Sequence, residues 1–263
     1  MADKVGILFL GDVIGRPGRK ALRSVLPALL DRYDPDVLVA NGENAAGGFG
    51  ITPQVAEELF GLGVHVITSG NHIWDKREVL DYIDGCERLI RPANYPEGTP
   101  GRGSALYRCR TGALVAVANL AGTVFMDPLE CPFRVGKALV ERLRRATPVV
   151  VVDCHCETTS EKGALGWHLD GLASAVVGTH THVQTSDERI LPGGTAYITD
   201  AGMTGSMDSV IGVKKEAALA RFLTRMPSRF DPATKDLEVQ GLWMEIDGGS
   251  GRALSVERVK EKA

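Results

Sequence analysis

Five apolar runs in this chain end in side chains able to bind a cation. They are Leu10-Gly11-Asp12, Asn41-Gly42-Glu43-Asn44, Ser69-Gly70-Asn71-His72, Asp153-Cys154-His155 and Gly178-Thr179-His180-Thr181-His182. Such carboxylate, amide and imidazole donors suit iron, manganese or zinc better than a thiolate-selecting metal, and a metal pair held this way hydrolyses esters by activating water. Each residue alone has an ordinary reading. Asp12 can cap a helix or turn, and Glu43 and Asn44 can be loop polars. Asn71 fits a left-handed turn beside a solvated His72, and His155 can be a hydrogen-bonded core histidine. His180 and His182 carry more information, because residues two apart in extended chain face one side and two imidazoles can reach neighbouring ions. Taken together, the five endings imply one site, since α/β sheets gather ligands outside the carboxyl ends of their strands.

The elements that would position these residues are legible as alternating strands and helices. Buried strands are expected at Val5 to Leu10, Asp36 to Asn41, Val64 to Thr68, Leu114 to Asn119, Val149 to Asp153, Ala175 to Gly178 and Ala196 to Asp200. Three- and four-residue apolar spacing predicts helices over Arg19 to Tyr33, Thr52 to Leu62, Lys76 to Ile83 and Pro132 to Ala146. Thr52 can cap the second of these, with Pro53 in its first turn. Arg91 to Arg102 and Thr204 to Val213 lack periodicity and read as loops near the site, while Val239 to Ile246 and Ala253 to Val259 read as a closing hairpin. An α/β fold follows.

A length of 263 residues is compatible with one α/β domain, 1-263, with ample core material at 44% hydrophobic residues. The formal charge of -3 argues against capture of extended nucleic acid, which requires a basic surface. No run approaches a membrane span, and Met1 to Leu10 lacks the layout of a signal peptide, so a cytoplasmic protein is expected. Five cysteines form an odd, sparse set that reads as free thiols. On a strand Cys154 and Cys156 point away from His155, which leaves zinc binding by that pair as the weaker alternative.

The motifs Gly11-Asp12, Gly70-Asn71-His72 and Gly178-Thr179-His180-Thr181-His182 resemble those of calcineurin-type metallophosphoesterases. More closely, Gly11-Asp12-Val13-Ile14-Gly15, Asn41-Gly42-Glu43-Asn44, Gly70-Asn71-His72-Ile73-Trp74 and Thr195 to Gly205 resemble the bacterial YmdB-like phosphodiesterases, over nearly the whole chain. Two departures from the broad superfamily are shared with that branch: Ile14 stands where a histidine is usual, and Gly42-Glu43-Asn44 replaces Gly-Asp-x-x-Asp.

The resemblance implies a four-layer αββα sandwich of two mixed sheets flanked by helices. It also implies a pair of iron or manganese ions, with zinc compatible. Carried onto matching positions, it assigns Asp12, Glu43, Asn44 and His182 to one ion and Glu43, Asn71, His155 and His180 to the other, with Glu43 bridging. The implied reaction is hydrolysis of a small phosphodiester, such as a 2′,3′- or 3′,5′-cyclic nucleotide, by a metal-bridging hydroxide. His72, beside a ligand but not itself one, is then the candidate acid for the leaving alkoxide, and Asp75 can orient it if the segment turns. A phosphomonoesterase or nucleotidase, and a nucleotide sensor without turnover, are the alternatives. Either a monomer or a homo-oligomer accommodates this reading.

Overall fold

The computed structural model describes residues 4–263; the first three residues of the Met1 to Leu10 segment lie outside the described residues. The chain opens with β1 (Lys4–Leu10), β2 (Asp12–Val13), α1 (Gly15–Tyr33), β3 (Val37–Asn41), α2 (Pro53–Gly61) and β4 (Val66–Thr68). A short 3-10 turn leads into α3 (Leu80–Ile83), followed by β5 (Ser104–Arg108), β6 (Leu114–Ala121), α4 (Pro132–Leu143), β7 (Val150–His155), α5 (Thr159–His168) and β8 (Ala175–Thr179). The last part holds β9 (Arg189–Ile190), β10 (Ala196–Ile198), β11 (Met203–Ser206), α6 (Lys215–Thr224), β12 (Leu237–Asp247) and β13 (Ala253–Lys262).

One sheet has the order β2-β11-β12-β1-β3-β4, with β13 paired to β12; the other has the order β5-β6-β7-β8-β10-β9. Both are mixed. The first combines parallel β1-β3-β4 with antiparallel β12, and the second combines parallel β6-β7-β8-β10 with antiparallel β5 and β9.

The two-residue period of the strands distributes the core into three spaces. On β1, Leu8 and Leu10 pack against Ala21, Leu22, Val25 and Leu29 of α1. Ile7 and Phe9, on the opposite face, meet Val117, Val151 and Val177 of the second sheet. Beyond that sheet, Ala118 and Val152 pack on Leu139 and Val140 of α4 and Leu165 of α5. Helix, sheet, sheet and helix are therefore the four layers. Truncating a fully buried leucine among these, such as Leu8 or Leu22, to alanine costs about 2–5 kcal/mol.

All seven expected strands and four expected helical segments are present, with shifted ends. The expected Lys76 to Ile83 helix splits into a 3-10 turn and the short α3. Of the two expected loops, Thr204 to Val213 contains most of β11, which pairs with β2 and β12 although its own composition gives little strand signal. The hairpin of β12 and β13 closes as expected. All five cysteines are free. Among the described residues, no helix is long and apolar enough to cross a membrane.

Candidate metal centre

The site lies where β1, β3, β4, β7 and β8 end. After β1, Gly11 is pressed against the chain that enters β11: an added Cβ would lie 2.0 Å from the Gly202 carbonyl oxygen, so only glycine fits. This contact turns the chain and drives Asp12 inward, fully buried. Asp12 donates its N–H to Gly202 (3.1 Å), and its Oδ2 accepts from the His180 N–H (3.2 Å). After β4, Gly70 serves the same purpose, since a Cβ there would come within 2.2 Å of the His155 ring and 2.3 Å of Glu43 Oε2.

The fold brings together every residue expected in the site. Buried Glu43 stands at its middle. Its Oε1 lies 3.0 Å from His155 Nε2 and 3.1 Å from Asn44 Nδ2, and its Oε2 accepts the His72 N–H at 3.2 Å. Asn71 Oδ1 is 3.2 Å from His155 Nε2, and His180 Nδ1 is 3.0 Å from the same nitrogen. His182 Nε2 lies 3.6 Å from Asp12 Oδ1 and 3.2 Å from Asn44 Nδ2. Two groups of donor atoms, Glu43 with His155 and His180, and Glu43 with Asp12 and His182, each fall within 4.8 Å of one another. Glu43 belongs to both. Asn44 turns its amide nitrogen inward, and a half-turn of the amide presents Oδ1 instead.

The outer nitrogen of each imidazole is fixed by an acceptor. Thr179 donates its hydroxyl proton to Asp153 (2.6 Å), so its oxygen accepts from His155 Nδ1 (2.8 Å). His180 Nε2 donates to Glu157 Oε2 (2.9 Å), and His182 Nδ1 donates to the Ile211 carbonyl (2.9 Å). In all three rings the inner nitrogen is thus the one that gains or loses a proton, and all three inner nitrogens converge on Asp12 and Glu43. This is how protein scaffolds prepare histidines for a metal, with the second ring nitrogen held by an outer partner.

The donor set fits a cation pair on two further grounds. Asp12 Oδ1 is buried without a hydrogen-bond partner, a costly state that a cation relieves. His155 Nε2 faces three groups at 3.0–3.2 Å and has at most one proton to give them. Electrostatics follow the same plan. Burial opposes charge on His182, but Asp12 outweighs it and raises the imidazole to about 9. For His155 burial is likewise overcome by Glu43, which raises it; for Glu43, burial is overcome by His155, which lowers it. Burial and the neighbouring His155 push His180 down to about 4, and burial pushes Asp153 up to about 6 against its hydrogen bonds.

The loop carrying the last two histidines is strained, with His180 at φ 96° and His182 at φ 63°, conformations that side chains other than glycine rarely adopt. Asp200 holds it: the carboxylate accepts the Thr181 N–H (3.1 Å) and hydroxyl (2.6 Å) and is itself paired with Lys162 (2.7 Å). Sequence reasoning missed Asp200, Lys162, Asp153 and Glu157. Glu157 was within reach, two residues past His155 and so on its side of an extended chain. Asp200 stood inside the Thr195 to Gly205 stretch without a role. Lys162 left no signal.

His72 lies at the edge of the cluster, its Nδ1 2.9 Å from Asp75 Oδ2 and its ring edge-on to Phe49 at 5.1 Å. The segment does turn there, with the Asp75 N–H donating to the His72 carbonyl (3.1 Å). His72, Glu43, Asn44, His180 and His182 line one cavity of about 850 Å³. Cys154 on β7 and Cys156 just past its end are buried among the side chains of α4 and α5, with their sulfurs 3.3 Å apart.

Two helix-flanked mixed sheets with a carboxylate and imidazole cluster at their strand ends define a metallophosphoesterase-like sandwich. Comparison with known proteins narrows this. The YmdB-like protein family matches residues 8–259, and the chain belongs to that family. It is 48% identical over 253 residues to the 2′,3′-cyclic-nucleotide 2′-phosphodiesterase of Bacillus subtilis (strain 168), covering 96% of each chain. A crystal structure of a hypothetical protein from Thermus thermophilus superposes with a TM-score of 0.91 at 42% identity, covering 98% of this chain and 99% of that one. A crystal structure of a novel phosphatase from Mycoplasma pneumoniae superposes with a TM-score of 0.93 at 34% identity, covering 100% of this chain and 95% of that one.

Proposed function

We propose that this chain is a single-domain, dinuclear metal-dependent phosphodiesterase of the cytoplasm that hydrolyses small cyclic phosphodiesters, 2′,3′-cyclic nucleotides foremost. The observation that carries the reading is the convergence of three imidazoles, each with its outer nitrogen pinned, on the two buried carboxylates Asp12 and Glu43. The likeness to the Bacillus subtilis enzyme supports the substrate class.

Asp12, Glu43, Asn44 and His182 would hold one ion, and Glu43, Asn71, His155 and His180 the other, iron or manganese by donor chemistry and zinc compatible. Bound there, the ions supply Lewis-acid activation of water near neutral pH and neutralise charge on the phosphoryl group. The remaining chemistry belongs to the chain. As the P–O2′ bond breaks, the departing alkoxide needs a proton, and His72 delivers it from Nε2 while Asp75 holds Nδ1. Glu157, Thr179 and the Ile211 carbonyl keep the three imidazoles aimed, which spares the site reorganisation during the reaction.

The test pairs adenosine 2′,3′-cyclic phosphate with its matched monoester, adenosine 3′-phosphate. Hydrolysis that stops at the monoester, disappears with chelator and returns with manganese or iron is the expected result. Faster attack on the monoester would favour a nucleotidase. Tight binding of the cyclic nucleotide without turnover would favour a sensor.

A further inference from the structure

The proposed reaction occupies one part of the cavity and leaves the other without a task. That other part is α6 and the chain after it: Arg221, Phe222, Arg225 and Phe230 line the same space as Glu43, His72, His180 and His182. Arg221 lies in the last turn of α6, and Arg225 is the left-handed residue that ends the helix, at φ 59°. The Arg225 N–H donates to the Arg221 carbonyl at 2.9 Å, and the Arg221 guanidinium lies over the Phe230 ring at 5.0 Å, which fixes its plane.

Neighbouring cations have carboxylate partners. Lys215 pairs with Asp208, and Lys214 and Arg229 both pair with Asp231. Among the described residues, neither Arg221 nor Arg225 forms an ion pair, although both sit at the exposed mouth of a cavity that also holds Glu43 and Glu157. Burial in the core does not explain them either. Ala218 is the one buried residue of α6, and Leu219, Phe222 and Leu223 are exposed. Two guanidiniums fit a phosphate geometrically, since each offers a planar fork of donors to its oxygens. In the proposed reaction the scissile phosphate is held by the metal-binding cluster and not by these two residues. The space is also generous, near the upper end of the roughly 300–1,000 Å³ typical of small-molecule sites.

We propose that Arg221 and Arg225 bind a second phosphate of the substrate, attached through the 5′ oxygen of the nucleoside that bears the cyclic diester. This rests on the phosphodiesterase reading and sharpens it: the preferred substrate is a 5′-phosphorylated nucleoside 2′,3′-cyclic phosphate, or the end of a short oligoribonucleotide, rather than the free cyclic mononucleotide. A terminal 5′-phosphate and an internucleotide phosphate present the same anionic oxygens, and the experiment separates them.

With metal-loaded protein, kcat/KM is measured for adenosine 2′,3′-cyclic phosphate, for its 5′-phosphorylated form, and for a diadenosine dinucleotide ending in the same cyclic phosphate. The wild-type chain is expected to favour at least one of the last two by about tenfold, the value of one charge-assisted hydrogen bond, chiefly through KM. In the Arg221→Gln/Arg225→Gln chain that ratio is expected to fall towards one. Preference for the 5′-phosphorylated nucleotide assigns a terminal phosphate, and preference for the dinucleotide assigns an internucleotide one. Equal kcat/KM on all three substrates in the wild type, or a preference untouched by the double substitution, would overturn the proposal. Failure to hydrolyse any of the three would overturn the phosphodiesterase reading itself.

Discussion

Lys162 and Asp200 form an ion pair of 2.7 Å in which both side chains are 0% exposed, and the same Asp200 oxygen also receives the Thr181 N–H and hydroxyl. A buried charge on α5 is thereby tied to the strained turn between His180 and His182, and Lys162 Nζ also donates to the Thr181 hydroxyl at 3.2 Å. Breaking such a pair from one side strands an uncompensated charge and costs about 3–5 kcal/mol. Lys162→Met is expected to lose about that much in denaturant unfolding and to weaken metal uptake. Removing both charges, as Lys162→Met/Asp200→Leu, is expected to recover most of the stability but not the metal affinity, because Thr181 still lacks its acceptor. A single variant that unfolds within about 1 kcal/mol of wild type would show the pair to be dispensable.

His72 is held by Asp75 at the rim of the proposed metal site, not among its inward-facing nitrogens. His72→Ala should therefore keep its metal. General acids contribute about 10²–10⁴-fold, and only where the leaving group needs a proton. The loss is expected on a cyclic nucleotide, whose alkoxide departs poorly, and to be slight on an aryl phosphodiester such as bis-p-nitrophenyl phosphate. Equal losses on both substrates would remove His72 from the acid role.

The charge on His182 links stability to pH in the metal-free chain. Asp12 raises this imidazole to about 9, against an unfolded value of 6.5. A group raised on folding stabilises fully below its unfolded value and loses that contribution as pH climbs through the folded one. At about 1.4 kcal/mol per unit the window from 6.5 to 9 is worth up to about 3 kcal/mol. Chelator-treated wild type is expected to lose this increment between pH 6.5 and 9 relative to His182→Gln. Metal binding takes the unprotonated ring, so uptake at neutral pH is expected to release protons, seen by calorimetry in buffers of different ionisation enthalpy. A wild type and variant with parallel pH profiles would contradict the ion pair.

What was readable in advance follows from where the physical signal resides. β1, β3, β7 and β8 are buried on both faces, so their apolar runs announce them, and the polar residues just past each run stand out by contrast. β5 lies at a sheet edge with Leu106 and Arg108 exposed, which blurs the pattern. In α5, Gly163 and Gly166 weaken helix propensity, yet Gly166 is required because a Cβ there would meet the Tyr197 ring at 2.6 Å. α6 shows its apolar side to solvent and so offers no core-facing stripe. In the site, donor types and strand position pointed to the candidate ligands. Their outer partners Thr179, the Ile211 carbonyl and Asp200 come from tertiary contacts that no spacing rule encodes. Asp75 was the exception, three residues from His72 and dependent only on a local turn.

The most direct examination of the proposed metal pair is anomalous diffraction at the iron and manganese edges, on crystals of protein purified without chelator. Two peaks are expected, one beside Asp12 and His182 and one beside His155 and His180, with the Glu43 carboxylate between them. Peaks remote from Glu43, or cyclic-diester hydrolysis that persists undiminished in chelator-stripped protein, would contradict the proposed centre.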